Sequence, residues 1–191
     1  MARQLRANSY FLHDETTGDI VGFKDPDGSE TFFARAMRSG AFFDSTDQTD
    51  EDTPTAMSFS TATLQNGVTL VEGTKFTVDR TAWYTFQLSA HIHNADSQAH
   101  FFELWGKLND EDIPSSRFKY SVPSSHGGQD GSLGVCQGFD LNLTAGDEVS
   151  IVWTTDDAEN VTIAKHDAET GENPKPAAPS LMLHVHEVGY V

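Results

Sequence analysis

The run from Trp83 to His93 constrains the fold more than any other stretch. Its even positions, Tyr84, Phe86, Leu88, Ala90 and Ile92, are all apolar, while its odd positions run Trp83, Thr85, Gln87, Ser89, His91, His93. A period of two places those rows on opposite faces of a strand, so the first row predicts core and the second an outward face. The closing stretch repeats the pattern: Leu181, Leu183 and Val185 share one face and Met182, His184 and His186 the other. Helical periodicity is nearly absent, and short β-branched and aromatic runs recur between Gly, Pro, Asn and Asp. The expected fold class is all-β, an antiparallel two-sheet sandwich.

Strands are expected at Ala41–Phe43, Thr55–Phe59, Val68–Leu70, Lys75–Val78, Ala82–His93, Ala99–Leu108, Arg117–Val122, Leu133–Leu143, Glu148–Thr154, Val161–His166 and Ser180–Val188. Residues 1–40 read differently. Two short apolar runs, Ser9–Leu12 and Asp19–Phe23, flank an Asp14–Gly18 turn, and Asp25–Gly28 makes a second turn. The expected organisation is an N-terminal hairpin-like arm over 1–40 and a sandwich over 41–191.

The 191 residues carry 12 Lys+Arg against 29 Asp+Glu, a formal charge of −17. Residues 1–40 hold five basic and six acidic side chains, so the acidity belongs to the body. Nonspecific attraction to nucleic acid or to an anionic membrane is opposed by that field. No apolar run approaches the ~20 residues of a membrane helix. The single Cys136 excludes an intrachain disulfide, and with no leader pattern near Met1 the expectation is synthesis in a reducing cytoplasm.

No Gly-x-Ser-x-Gly, His-Glu-x-x-His, Walker or EF-hand pattern occurs, so no enzyme activity and no cofactor are expected. Cys136 reads as a small core residue rather than a nucleophile. The stretch Asp44–Asp52 has five carboxylates without regular calcium-ligand spacing and reads as a solvated loop. Trp83, Trp105, Trp153 and Phe101-Phe102 read as core or subunit-interface aromatics rather than a sugar platform.

Two motifs resemble the C1q/TNF-like trimeric jelly roll: Ala82-Trp83-Tyr84-Thr85-Phe86, and Leu143-Thr144-Ala145-Gly146-Asp147-Glu148-Val149. Thr55–Phe59 is similar to that family's opening strand, and Ser180–Val188 sits where its closing strand falls. The resemblance implies a homotrimer in which the strand at 82–93 and the closing strand are neighbours in the axis-facing sheet. His91, His93, His184 and His186 would then gather near the axis, as hydrogen-bonded interface residues, as a metal or anion site, or as a protonation-sensitive contact.

The chain departs from C1q proteins in lacking a collagen-like stem and from TNF ligands in lacking a membrane anchor. It is similar instead to phage virion proteins that join such a head to a short attachment segment. The implied role is a capsid decoration (cement) protein on the outer capsid surface, with the major capsid protein as partner. Arg3, Leu5, Arg6, Tyr10, Phe11, Ile20 and Phe23 would be its anchors. The alternative is a receptor- or glycan-binding head of a tail fibre or spike, which forty hairpin-like residues suit less well because they supply no shaft.

Overall fold

A computed structural model describes residues 10–13, 20–24, 26–28, 30–32, 37–50, 53–171 and 173–189. The chain divides into two compact units, Met1–Met37 and Arg38–Val191. The first contains strands β1 (Tyr10–His13), β2 (Ile20–Lys24) and β3 (Glu30–Phe32), joined antiparallel in the order β1-β2-β3. Phe11 pairs with Phe23, and Gly22 with Phe32. Gly28 closes the β2–β3 turn at φ 85°, a left-handed conformation that glycine adopts without a Cβ penalty.

The second unit runs β4 (Ser39–Asp44), β5 (Gln48–Thr49), β6 (Thr55–Ala56), β7 (Thr61–Asn66), β8 (Val68–Val71), β9 (Lys75–Val78), β10 (Ala82–Asn94), β11 (His100–Leu108) and β12 (Glu111–Asp112). It continues with β13 (Phe118–Val122), β14 (Gly131–Leu143), β15 (Glu148–Thr155), β16 (Val161–Ile163) and β17 (Leu181–Gly189). The body's first strand starts at Ser39, just inside the stretch read as arm. No helix among the described residues is long and apolar enough to cross a membrane.

Two antiparallel sheets form the body. In the first, β10 pairs with β14 along its whole length. Its other edge is shared between β17, opposite Trp83–Ala90, and β16, opposite Ile92–Asn94. β17 then pairs with β4, β4 with β7, and β16 with β5. In the second sheet β11 lies between β15 and the strands β12 and β13, while β15 also pairs with β6 and β9, and β9 with β8. The expected adjacency of the 82–93 strand and the closing strand is therefore present.

Alternation does what the sequence pattern predicts. Tyr84, Phe86, Leu88, Ala90 and Ile92 are fully buried, as are Leu181, Leu183 and Val185 from β17. They meet Phe76, Phe102, Leu104, Ile151 and Trp153 of the second sheet in one continuous core. Phe42 and Phe76 join the sheets with ring centroids 4.8 Å apart. The 143–149 turn forms as its residues require: Gly146 has φ 92°, the Asp147 carboxylate accepts the Thr144 amide at 2.8 Å, and Val149 and Ile151 return to the core.

One buried ion pair was not visible in the sequence. Arg80 reaches the Glu187 carboxylate at 3.1 Å, and the Arg38 amide donates to the same group at 2.8 Å. The Tyr84 hydroxyl donates to the Arg80 carbonyl at 3.0 Å, and its pKa is pushed up to about 12 by burial first and then by the Glu187 charge.

Candidate interaction face

The first sheet has a core face and an outward face, and the outward face carries most of the exposed large apolar side chains among the described residues. Directly paired residues of an antiparallel sheet project to the same side, so the register reads out its rows. One row is Leu64, Ala41, His184, Gln87 and Gly138; the next is Thr61, Phe43, Met182, Ser89 and Cys136. Trp83 heads the same side of β10, and Val188 ends that of β17. Leu64, Trp83, Met182 and Val188 are 45, 43, 36 and 54% exposed. That concentration of exposed large apolar side chains on one sheet face makes it the candidate interaction surface.

The segment 164–180, between β16 and β17, folds back through bridges between His166 and Ala178 and between Glu169 and Lys175. Between this segment and the outward face lies a groove of about 490 Å³ lined by Phe43, Met182 and His184 on one side and by Lys165, His166 and Pro179 on the other.

All four histidines singled out in the sequence lie on the outward face, but they form two groups. His184 and His186 are exposed, opposite Gln87 and Thr85, with ring centroids 6.0 Å apart. His91 and His93 lie further along β10, half-buried, and meet His166 instead. The His166 ring packs edge-on to both, with centroids 4.7 Å from His91 and 4.9 Å from His93. Burial, and secondarily the charge His166 can carry, hold both His91 and His93 below the ordinary imidazole range.

A second titratable cluster sits where β10 hands over to β11. His100 Nε2 lies 2.9 Å from Asp96 and 3.1 Å from Asp157, and Nδ1 lies 3.4 Å from Asp156. Asp96, His100 and Asp157 each offer a ligand atom within 4.8 Å of the others, but these contacts already satisfy one another as ion pairs. The hydrogen bond to Asp96, then the Asp157 and Asp156 charges, raise the His100 pKa above its ordinary 6.5. Its contribution to stability is thus complete below that value and fades as pH climbs through the raised one. Asp96, lowered mainly by His100, and Asp157, lowered mainly by Asn160, contribute above their ordinary 3.8 and lose that contribution as pH falls through their depressed values. The urea-measured cost of His100→Gln is therefore expected to be largest at about pH 5 and to shrink toward about pH 9. A cost independent of pH would refute the ion-pair assignment.

Two sequence expectations are corrected. Cys136 is exposed, not core, because Val135 takes the inward position of β14 and the alternation turns its neighbour out; its sulfur lies 3.9 Å from the Ser89 hydroxyl. The acidic stretch is not wholly solvated either. Asp44 is buried and accepts the Thr46 amide at 2.7 Å; Asp50 is buried and accepts the Thr154 hydroxyl at 2.8 Å and the Thr155 amide at 3.0 Å. These carboxylates fasten the β4–β6 connection to the sheets.

Among the expected anchors, Tyr10 and Phe11 fall on β1 and Ile20 and Phe23 on β2. Arg3, Leu5 and Arg6 lie outside the described residues, as does the Asp14–Gly18 turn. Of the aromatics, Trp153 and Phe102 are core, Trp83 is on the outward face, and Phe101 is exposed beneath the Lys119 ammonium at 3.9 Å. Trp105 lines a cleft of about 410 Å³ on the second sheet with Glu103, Asp112 and Arg117. Its indole N–H donates to Asp112 at 2.8 Å, and Arg117 Nε donates to Glu103 at 2.6 Å. His166 and the Asp96–His100–Asp157 cluster, like the Arg80–Glu187 pair, are polar groupings without a local signal in the sequence.

No protein-family model and no curated protein sequence matches the chain. Among solved structures, the Eiger TNF of S. frugiperda matches with a TM-score of 0.51 at 13% identity, covering 82% of this chain and 96% of that one. The globular domain of zebrafish complement 1qA protein matches with a TM-score of 0.44 at 14% identity, covering 81% and 99%. The Eiger likeness and the two antiparallel sheets give the body the C1q/TNF-like jelly-roll fold.

Proposed function

We propose that this chain is a non-enzymatic structural protein of a phage particle: a homotrimer that decorates the outer capsid surface and braces the major capsid protein beneath it. The observation that carries the trimer is the outward face of the first sheet, where Leu64, Trp83, Met182 and Val188 stand exposed on an otherwise well-packed sandwich. Three copies meeting through this face around a threefold axis would cover it, and a cyclic arrangement closes the contact without leaving an open surface for polymerisation.

The attachment role belongs to the separate N-terminal unit. It is small and only weakly charged overall, whereas the body carries most of the 29 carboxylates. Three such units on one trimer act as intramolecular contacts after the first has bound, raising avidity by roughly 10²–10⁴ without a new interface. No nucleic acid, membrane or cofactor enters the mechanism.

Copy number is the test. Densitometry of purified particles should show the protein in numbers that scale with capsid threefold sites, and removing Met1–Met37 should leave a trimer that no longer binds expanded capsids. A handful of chains per particle would favour the second reading, a receptor- or glycan-binding head of a tail fibre or spike. The feature that favours that reading is the second-sheet cleft, where an indole, a guanidinium and two carboxylates stand together in the manner of a sugar subsite.

A further inference from the structure

We propose that His91, His93 and His166 form an acid-released clasp: neutral, they hold the 164–180 segment against the first sheet, and protons taken up from solvent free it. The device goes beyond the virion role and does not depend on it.

The segment is poorly anchored apart from its two ends. Its described residues from Lys165 to Ala177 are exposed, and its bridges, His166 with Ala178 and Glu169 with Lys175, tie it to itself. At its start the Ala164 amide donates to the His91 carbonyl at 2.9 Å, and at its finish the Ser180 amide donates to the Asp44 carbonyl at 2.9 Å. Between those ends it meets the body through the Lys165 amide, which donates to the Asp47 carboxylate at 3.0 Å, and through the His166 ring. That ring lies edge-on to His91 and His93, with centroids 4.7 and 4.9 Å away. Two imidazoles fixed on β10 thus grip one carried by the segment.

The grip suits neutral rings only. A neutral imidazole has one N–H donor and one bare acceptor nitrogen. The Pro179 carbonyl accepts from the His91 ring, and since His91 Nδ1 is buried without a partner, that bond falls to Nε2. A proton arriving at Nδ1 therefore becomes a buried, charged donor with nothing to accept it, and such a group bears its full desolvation cost. His93 Nε2 is likewise buried without a partner, and a proton there meets the same penalty. Lifting His166 away lets water reach both nitrogens, so the released form is the one that accommodates the charge.

The surrounding charges leave that direction standing. The strands beside the pair offer no titratable group: β14 places Gly134 and Ser132 opposite His91 and His93, β16 places Thr162 opposite His93, and the His91 amide donates to the Ser180 carbonyl ahead of β17. Asp130 and Asp47 favour a charged His93 but are exposed, and Lys165 is paired with Asp167 at 2.9 Å. Burial first, then the charge His166 can carry, still holds both His91 and His93 below the ordinary 6.5. Released, they return toward that value, so the open form binds more protons. Closure is thus complete above 6.5 and weakens as pH falls through it toward the depressed values. The His100 cluster strengthens over the same fall and cannot supply the loosening. Release removes the Lys165–His166–Pro179 wall of the groove over Met182 and His184.

Hydrogen exchange on the full chain, purified without a histidine tag and corrected for intrinsic rates, reads the clasp. Protection of the Lys165 and His166 amides should fall about tenfold between about pH 7.5 and about pH 5, the equivalent of one pKa unit of linkage, while amides of the β10–β14 ladder hold theirs. The fall should be the same at low and high chain concentration. His166→Gln, on an exposed residue, should show the parent's acid-state protection already at the higher pH and lose little more on acidification. His91→Gln with His93→Gln should flatten the pH dependence, and His184→Gln with His186→Gln should keep it. Equal protection of the parent at both pH values would overturn the proposal. So would a pH dependence that survives in both His166→Gln and the His91/His93 variant, or one that vanishes in the His184/His186 variant. A fall that depends on chain concentration would place the effect between copies and overturn the clasp as well.

Discussion

Met182→Asp is expected to convert the proposed trimer into folded monomers. Met182 sits mid-row on the outward face, between Phe43 of β4 and Ser89 of β10, with Cys136 beyond. In a trimer closed through that face, symmetry places three copies of the new carboxylate in the contact at once. Each loses solvation in the contact, and Lys165, which lines the same groove, is already paired with Asp167 at 2.9 Å, so the cost is several kcal/mol per buried unpaired charge. The side chain points away from the core, so the monomer should keep its β-sheet circular dichroism. Sedimentation velocity separates the outcomes: a monomeric variant of native spectrum supports the face as the interface, and an intact trimer removes it.

Phe86→Ala is expected to cost about 3–5 kcal/mol of stability, a large share of the roughly 5–15 kcal/mol typical of a domain. Phe86 is fully buried at the centre of β10, paired on one side with Phe139 and on the other with Val185. Its ring stacks on Phe139 with centroids 5.3 Å apart. Removing it opens a cavity between two long strands held in register on both edges, where neighbours cannot collapse inward. Thr69→Ala, on the exposed side of β8, is the matched control and should change stability by less than about 0.5 kcal/mol. Urea unfolding at fixed chain concentration checks both, because association links stability to concentration. A loss under about 1 kcal/mol for Phe86→Ala would mean that this part of the core repacks.

What could be read from the sequence follows from where one-dimensional pattern determines environment. β10 and β17 were legible because each is buried on one face, and strict alternation records that fact. The Leu143–Val149 turn was legible because Gly146 and Asp147 have chemistry that only a turn uses. β7 was missed because Thr-Ala-Thr-Leu-Gln-Asn, paired only to β4, lies with little burial and needs no apolar row. β5 and β12 are two-residue strands whose existence depends on their partners. Cys136 was misassigned although its own strand alternates, because a lone cysteine was judged by type rather than by the parity set at Val135. The histidine grouping could not be read at all: His91 and His93 find His166 only through the docking of β16 beside β10, and local sequence does not record which strands become neighbours. Asp44 and Asp50 are the same case, with partners supplied by remote threonines and amides.

The pairing of β4 with β17, from Ser39 opposite His186 to Asp44 opposite Leu181, sets a timetable for the chain's birth. One edge of the first strand of the body receives its neighbour only when the last strand has left the ribosome. β10 waits equally long for the Trp83–Ala90 part of its second edge. Contacts of such wide sequence separation fold slowly and must form late. The first sheet therefore closes only once β17 has been made, and a chain broken off before Leu181 leaves its own opening strand with nothing on that side to bond.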